Sequence, residues 1–77
     1  MTAQPVSYHP DTDTMYVEIV AGTTAFGRDA ATDLVLHMSD DGRVMGYEIE
    51  HASRHPEHVA AALAALRAAR GIADAAE

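Results

Sequence analysis

The chain has 77 residues, with twelve aspartates and glutamates against five arginines and no lysine, a formal net charge of −7 and no cysteine. So acidic a chain lacks the clustered cations on which binding to a phosphate backbone rests, so no nucleic-acid partner is expected, and the missing cysteines exclude disulfides and thiolate zinc sites. No apolar run approaches the roughly 18 residues of a membrane span, so no membrane partner is expected either.

The opening residues carry neither a basic leader nor an apolar signal core, and the expected setting is soluble and cytoplasmic. Residues 5–8 read as a short first strand and residues 14–20 as a second. Between them Pro10-Asp11 suits the centre of a type I turn. Closing this hairpin with Tyr8 opposite Met15 sets Val6 opposite Val17. Val6, Tyr8, Met15, Val17 and Ile19 then share one face, and Ser7, Tyr16, Glu18 and Val20 the other. Residues 21–32, AGTTAFGRDAAT, sustain no period and are expected to be loop or, in part, an irregular edge strand. Phe26, the only phenylalanine, is expected to plug an open end of the core.

The clearest signal lies in residues 33–50, where two alternating runs, 33–38 and 43–50, flank Ser39-Asp40-Asp41-Gly42. Asp-Gly between alternating hydrophobics marks a β-hairpin. A two-residue turn pairs Met38 with Met45, Leu36 with Tyr47 and Leu34 with Ile49, all on one face. The other face carries Asp33, Val35 and His37 against Glu50, Glu48 and Gly46. A three-residue connection without a bulge would set the apolar residues of one strand against the polar residues of the other.

A helix is expected over 56–70. His55 fits the cap and Pro56 the first helical position, Glu57 complements the positive end of the dipole, and Arg67 and Arg70 complement the negative end. Val59, Leu63 and Leu66 form a buried stripe that Ala62 and Ala69 widen, and Gly71 is the expected stop. Residues 72–77 have no anchor and are expected to be loose. The pattern predicts a single α+β domain: a small antiparallel β-sheet, a β-β-β-β meander, with one C-terminal α-helix packed on one face.

The run Tyr8-His9-Pro10-Asp11-Thr12-Asp13-Thr14-Met15-Tyr16-Val17, followed by Leu34-Val35-Leu36, by Asp41-Gly42-Arg43-Val44-Met45-Gly46-Tyr47-Glu48-Ile49 and by Ala52-Ser53, resembles the small bacterial family called domain of unknown function 2283. The likeness covers roughly residues 6–54, and the G-x-E-I-x-x-A-S block is its more specific half. Met15, Tyr47 and His51 depart from the usual residues. The resemblance implies a small antiparallel sheet with a helix on it. It brings no catalytic residue, because the family has no established reaction.

Two groups of side chains could carry chemistry. Glu18, His37 and Glu48 project from the face away from the helix, where a histidine among carboxylates could act as a general base or bind a metal, or could simply be solvated or pressed on a second subunit. His51, His55 and His58, with Glu57, resemble a metal cluster in composition but follow no known ligand spacing, and ordinary solvent-facing residues around a turn have the same look. Ala61, Ala64, Ala65 and Ala68 permit close approach of a partner and equally suit a plain exposed helix. No cofactor is implied. The expected role is a non-enzymatic homo-oligomer, most simply a dimer, because one helix leaves a sheet face and two edges uncovered in so short a chain. The alternatives are a small metal- or ligand-binding protein using Glu18, His37 and Glu48, and an acidic partner that neutralises a basic protein, as antitoxins do.

Overall fold

The computed structural model describes residues 5–22 and 24–75. Five antiparallel strands, β1 (Val6–His9), β2 (Thr14–Glu18), β3 (Phe26–Ala31), β4 (Leu34–Met38) and β5 (Val44–Ile49), precede a 3₁₀ turn, Ala52–Arg54, and the helix α1 (Pro56–Ala75). They form one sheet in the order β1-β2-β5-β4-β3.

The four-stranded meander expected from the sequence is therefore corrected in two respects. A fifth strand lies within the unreadable stretch, and β2 pairs with β5 rather than with the strand that follows it. Strands β3, β4 and β5 are joined by hairpins while β2 lies beside β5, a Greek-key arrangement. Strand β3 is the irregular edge strand that residues 21–32 left open beside a loop; its bounds left no pattern because all six of its residues are exposed. An edge strand wet on both faces is held by its hydrogen bonds to β4 and needs no hydrophobic alternation. Phe26, on this edge, does not plug the core: it faces Met38 across the ladder and remains 48% exposed.

The first hairpin has the expected register, Tyr8 opposite Met15 and Val6 opposite Val17. In the hairpin of β4 and β5, Leu36 meets Tyr47 and Leu34 meets Ile49, but Met38 meets Val44 instead of Met45. The connection is a three-residue loop. The Ser39 N–H donates to the Arg43 carbonyl at 2.9 Å, the Gly42 N–H donates to the Ser39 carbonyl at 3.1 Å, and Gly42 takes the left-handed φ of 86° that this loop requires. Three loop residues alone would invert the faces. A bulge between His37 and Met38 absorbs the extra residue at Met45, and the expected parity returns from Gly46 onward.

Helix α1 packs on β2 and β5. Val17 and Ile49, both essentially inaccessible, meet Ala52, Ala62 and Leu66, and Val6, Met15, Ile19, Leu34, Tyr47 and Val59 surround them. The buried helical stripe centres on Ala62 and Leu66, with Leu63 only half-buried at its flank. The methyl of Ala62 lets the helix axis come close to the sheet where a larger side chain would hold it off. The helix does not stop at Gly71 but continues to Ala75, so residues 72–75 are helical rather than loose; the rest of the expected tail lies outside the described residues. A glycine costs a helix only about 1 kcal/mol against alanine, and the neighbouring alanines favour continuation. Among the described residues, no helix is long and apolar enough to cross a membrane.

Candidate functional site

The sheet face away from α1 is built from cross-strand rows. Glu18, Gly46, His37 and Gly27 form one row across β2, β5, β4 and β3, and Tyr16, Glu48, Val35 and Asp29 form the next. His37 Nε2 lies 3.1 Å from Glu48 Oε1, a diagonal contact between neighbouring strands. Tyr16 presents its ring edge-on to His37 at 6.5 Å and to His9 at 5.5 Å. Gly46, without a side chain, floors an open groove of about 120 Å³ walled by Tyr16, Glu18, Val20, His37 and Met45. Of the three residues proposed from the sequence, the structure joins His37 to Glu48. Glu18 stands two strands from His37, about 10 Å along the row at ordinary strand spacing, and the three do not form a common ligand set.

A second constellation gathers where the turn between β3 and β4 meets the start of α1. Asp33 holds a left-handed φ of 60°, and its Oδ2 accepts hydrogen bonds from His51 Nδ1 at 3.1 Å and His55 Nε2 at 2.9 Å. His55 Nδ1 lies 3.1 Å from Glu57 Oε2. His58 Nε2–H donates to the Thr32 carbonyl at 3.0 Å, and the His55 and His58 rings stack with centroids 4.7 Å apart. The Glu57 and Asp33 carboxylates on either side push the His55 imidazole above its ordinary value. Asp33 is held below the usual carboxylate range, chiefly by His55, and Glu57 likewise, chiefly by its own backbone N–H and then by His55. One atom each from His55, Glu57 and His58 lie within 4.8 Å of one another, a spacing that could hold a metal. His51 turns instead to Asp33.

The third constellation ties the two ends of the sheet region together. Asp13, left-handed at φ 54°, ends the first turn and points its carboxylate at the 3₁₀ turn. The Tyr8 hydroxyl donates to its Oδ1 at 2.6 Å and the Ser53 hydroxyl to its Oδ2 at 2.6 Å, while the Ser53 N–H donates to Oδ1 at 3.2 Å. The Ala52 N–H donates to the Asp13 carbonyl at 2.8 Å. These bonds favour the charged carboxylate, so Asp13 lies below the usual range, first through Ser53 and then through Tyr8. Donating to a carboxylate pushes the Tyr8 phenol up. Neither group is poised to exchange protons near neutrality, and the trio acts as a clasp. The family model described as a protein of unknown function, DUF2283, matches residues 6–53, well over half of the chain, and runs from the strand that carries Tyr8 to Ser53. The chain belongs to the DUF2283 family. No curated protein and no solved structure matches it.

In this DUF2283 chain the matched stretch thus begins and ends on the clasp, which gives a structural role to its tyrosine, its turn aspartate and its Ala-Ser pair. His55, Glu57 and His58 lie beyond the match. Sequence reasoning named the histidines and Glu57 but missed Asp33 as their organiser. The signal was present, since pairing Leu34 with Ile49 sets Asp33 across from Glu50 and beside His51. It also missed the clasp, whose partners are forty residues apart.

Proposed function

We propose that this DUF2283 chain works as a non-enzymatic, homodimeric interaction module that meets a second copy through the bare face of its sheet. The observation that carries the reading is the pair Tyr16 and Val20, 38% and 46% exposed, standing beside the glycine-floored groove on a face that α1 does not cover. A domain of this size gains little from its own small core, and an isologous pairing of such faces would bury these side chains on both copies at once. The His37–Glu48 contact supports the same reading, because it gives two polar side chains of the face a partner before any second copy arrives. Light scattering behind size exclusion tests it. The expected mass at micromolar concentration is twice the 8.2 kDa of one chain, falling to the single value in Tyr16→Arg, and a wild-type chain that stays monomeric overturns the reading.

A second reading, a small-ligand site using His37, Glu48 and Glu18, is favoured by the groove itself. At about 120 Å³ it suits a ligand well below drug size. Loss of a bound small ligand in His37→Ala, with an unchanged oligomeric state, would favour it over the dimer.

A further inference from the structure

The geometry points to a divalent transition-metal site at the start of α1, formed by His55, Glu57 and His58 with Asp33 behind it. Two imidazoles and one carboxylate make a borderline donor set that suits zinc, nickel or cobalt and not the all-oxygen shells of calcium or magnesium. One donor atom from each residue lies within 4.8 Å of the others, against the roughly 3.4 Å between ligand atoms that bonds of about 2.1 Å set in a tetrahedral site. Closing that difference requires the His55 and His58 rings, stacked with centroids 4.7 Å apart, to turn out of their stack. His55 Nδ1 and Glu57 Oε2 are already at 3.1 Å.

What separates this group from a chance cluster of surface histidines is its support. Metal-binding histidines usually donate their second N–H to a carboxylate or a backbone carbonyl, which fixes the ring and the tautomer. Here His55 Nε2–H donates to Asp33 at 2.9 Å, leaving Nδ1 toward Glu57; His58 Nε2 faces Glu57 Oε2 at 3.9 Å while donating to the Thr32 carbonyl at 3.0 Å, so it exchanges that bond for the metal or turns its ring to present Nδ1. Asp33 is itself steadied by His51 at 3.1 Å. Both imidazoles are largely enclosed, with side chains 19% and 16% exposed, so ordering them on a metal costs little further freedom. The positive end of the helix dipole disfavours a cation at this place, and the two carboxylates, Asp33 and Glu57, offset it. Three protein ligands leave at least one coordination position for water or a donor from another molecule.

The test is calorimetric titration of the untagged 77-residue chain with Zn²⁺ and, separately, Ni²⁺. One equivalent per chain is expected, weakened about tenfold or more in Glu57→Gln and in His58→Ala and about 10- to 100-fold in Asp33→Asn, and unchanged in His37→Ala and His9→Ala. Circular dichroism of each variant checks that α1 still forms, and Glu57→Gln, an exposed and nearly isosteric change, keeps the test sound if a histidine variant fails to fold. No saturable binding of either metal, or binding that survives both Glu57→Gln and His58→Ala, overturns the site.

Discussion

Asp13 and Ser53, forty residues apart, meet through three hydrogen bonds: the serine hydroxyl to Oδ2 at 2.6 Å and its backbone N–H shared between Oδ1 at 3.2 Å and Oδ2 at 3.3 Å. Through them the turn after β1 anchors the start of the 3₁₀ segment, and hence the entry of the chain into α1. Removing the hydroxyl leaves the backbone bonds intact. Ser53→Ala is therefore expected to cost about 1 kcal/mol and to lower the melting temperature by about 4–8 °C, read by circular dichroism. Tyr8→Phe should cost less, and the double variant should lose less than the two single losses added together, since both hydroxyls serve one carboxylate.

The same clasp sets part of the acid limit. Because the folded-state value of Asp13 lies below that of the unfolded chain, its contribution is fully present above about pH 4 and is lost as the pH falls through the depressed value. Below about pH 4 the melting temperature of the wild-type chain should fall more steeply than that of Asp13→Asn. Parallel curves for the two proteins would contradict it.

Gly46 is where β2 comes closest. A Cβ there would stand 2.9 Å from the Val17 carbonyl oxygen, a backbone atom that cannot swing aside. Gly46→Ala should cost about 1–3 kcal/mol in chemical denaturation, with the loss falling on the pairing of β2 and β5. Hydrogen exchange should show the Val17 and Tyr47 amides losing protection first.

Ile49, with no accessible surface, sits where β5, β2 and α1 converge. Ile49→Ala should cost about 2–5 kcal/mol, enough to unfold much of so small a domain at room temperature. Loss of the cooperative thermal transition would register it.

At Gly71 the sign of the change is informative. Since α1 passes through this residue to Ala75, Gly71→Ala should stabilise the chain by about 0.5–1 kcal/mol and raise its helical signal. A glycine ending the helix in a left-handed conformation would give the opposite result.

Local chemistry was enough for the first hairpin, for the inner register of the β4–β5 hairpin and for the start of the helix. Alternation in 6–8, 14–19 and 34–49 sorted Val6, Met15, Val17, Leu36, Tyr47 and Ile49 onto one face, and Pro56 after His55 marked where α1 begins. These features depend on neighbours a few residues apart or on a turn that fixes its own register. The end of α1 was less legible, because a glycine among alanines weakens a helix without forcing it to stop.

What the sequence by itself determined was the parity of the side chains, since period-two alternation is a property of each strand alone. The tertiary structure decided which strands are neighbours. Strand β3 buries nothing and so leaves no pattern, and the insertion of β5 between β2 and β4 depends on pairing across a long connection. It also decided that Asp33 gathers His51 and His55 while Glu18 stays apart from His37, because hydrogen bonds between distant residues exist only once the sheet order has set the distances.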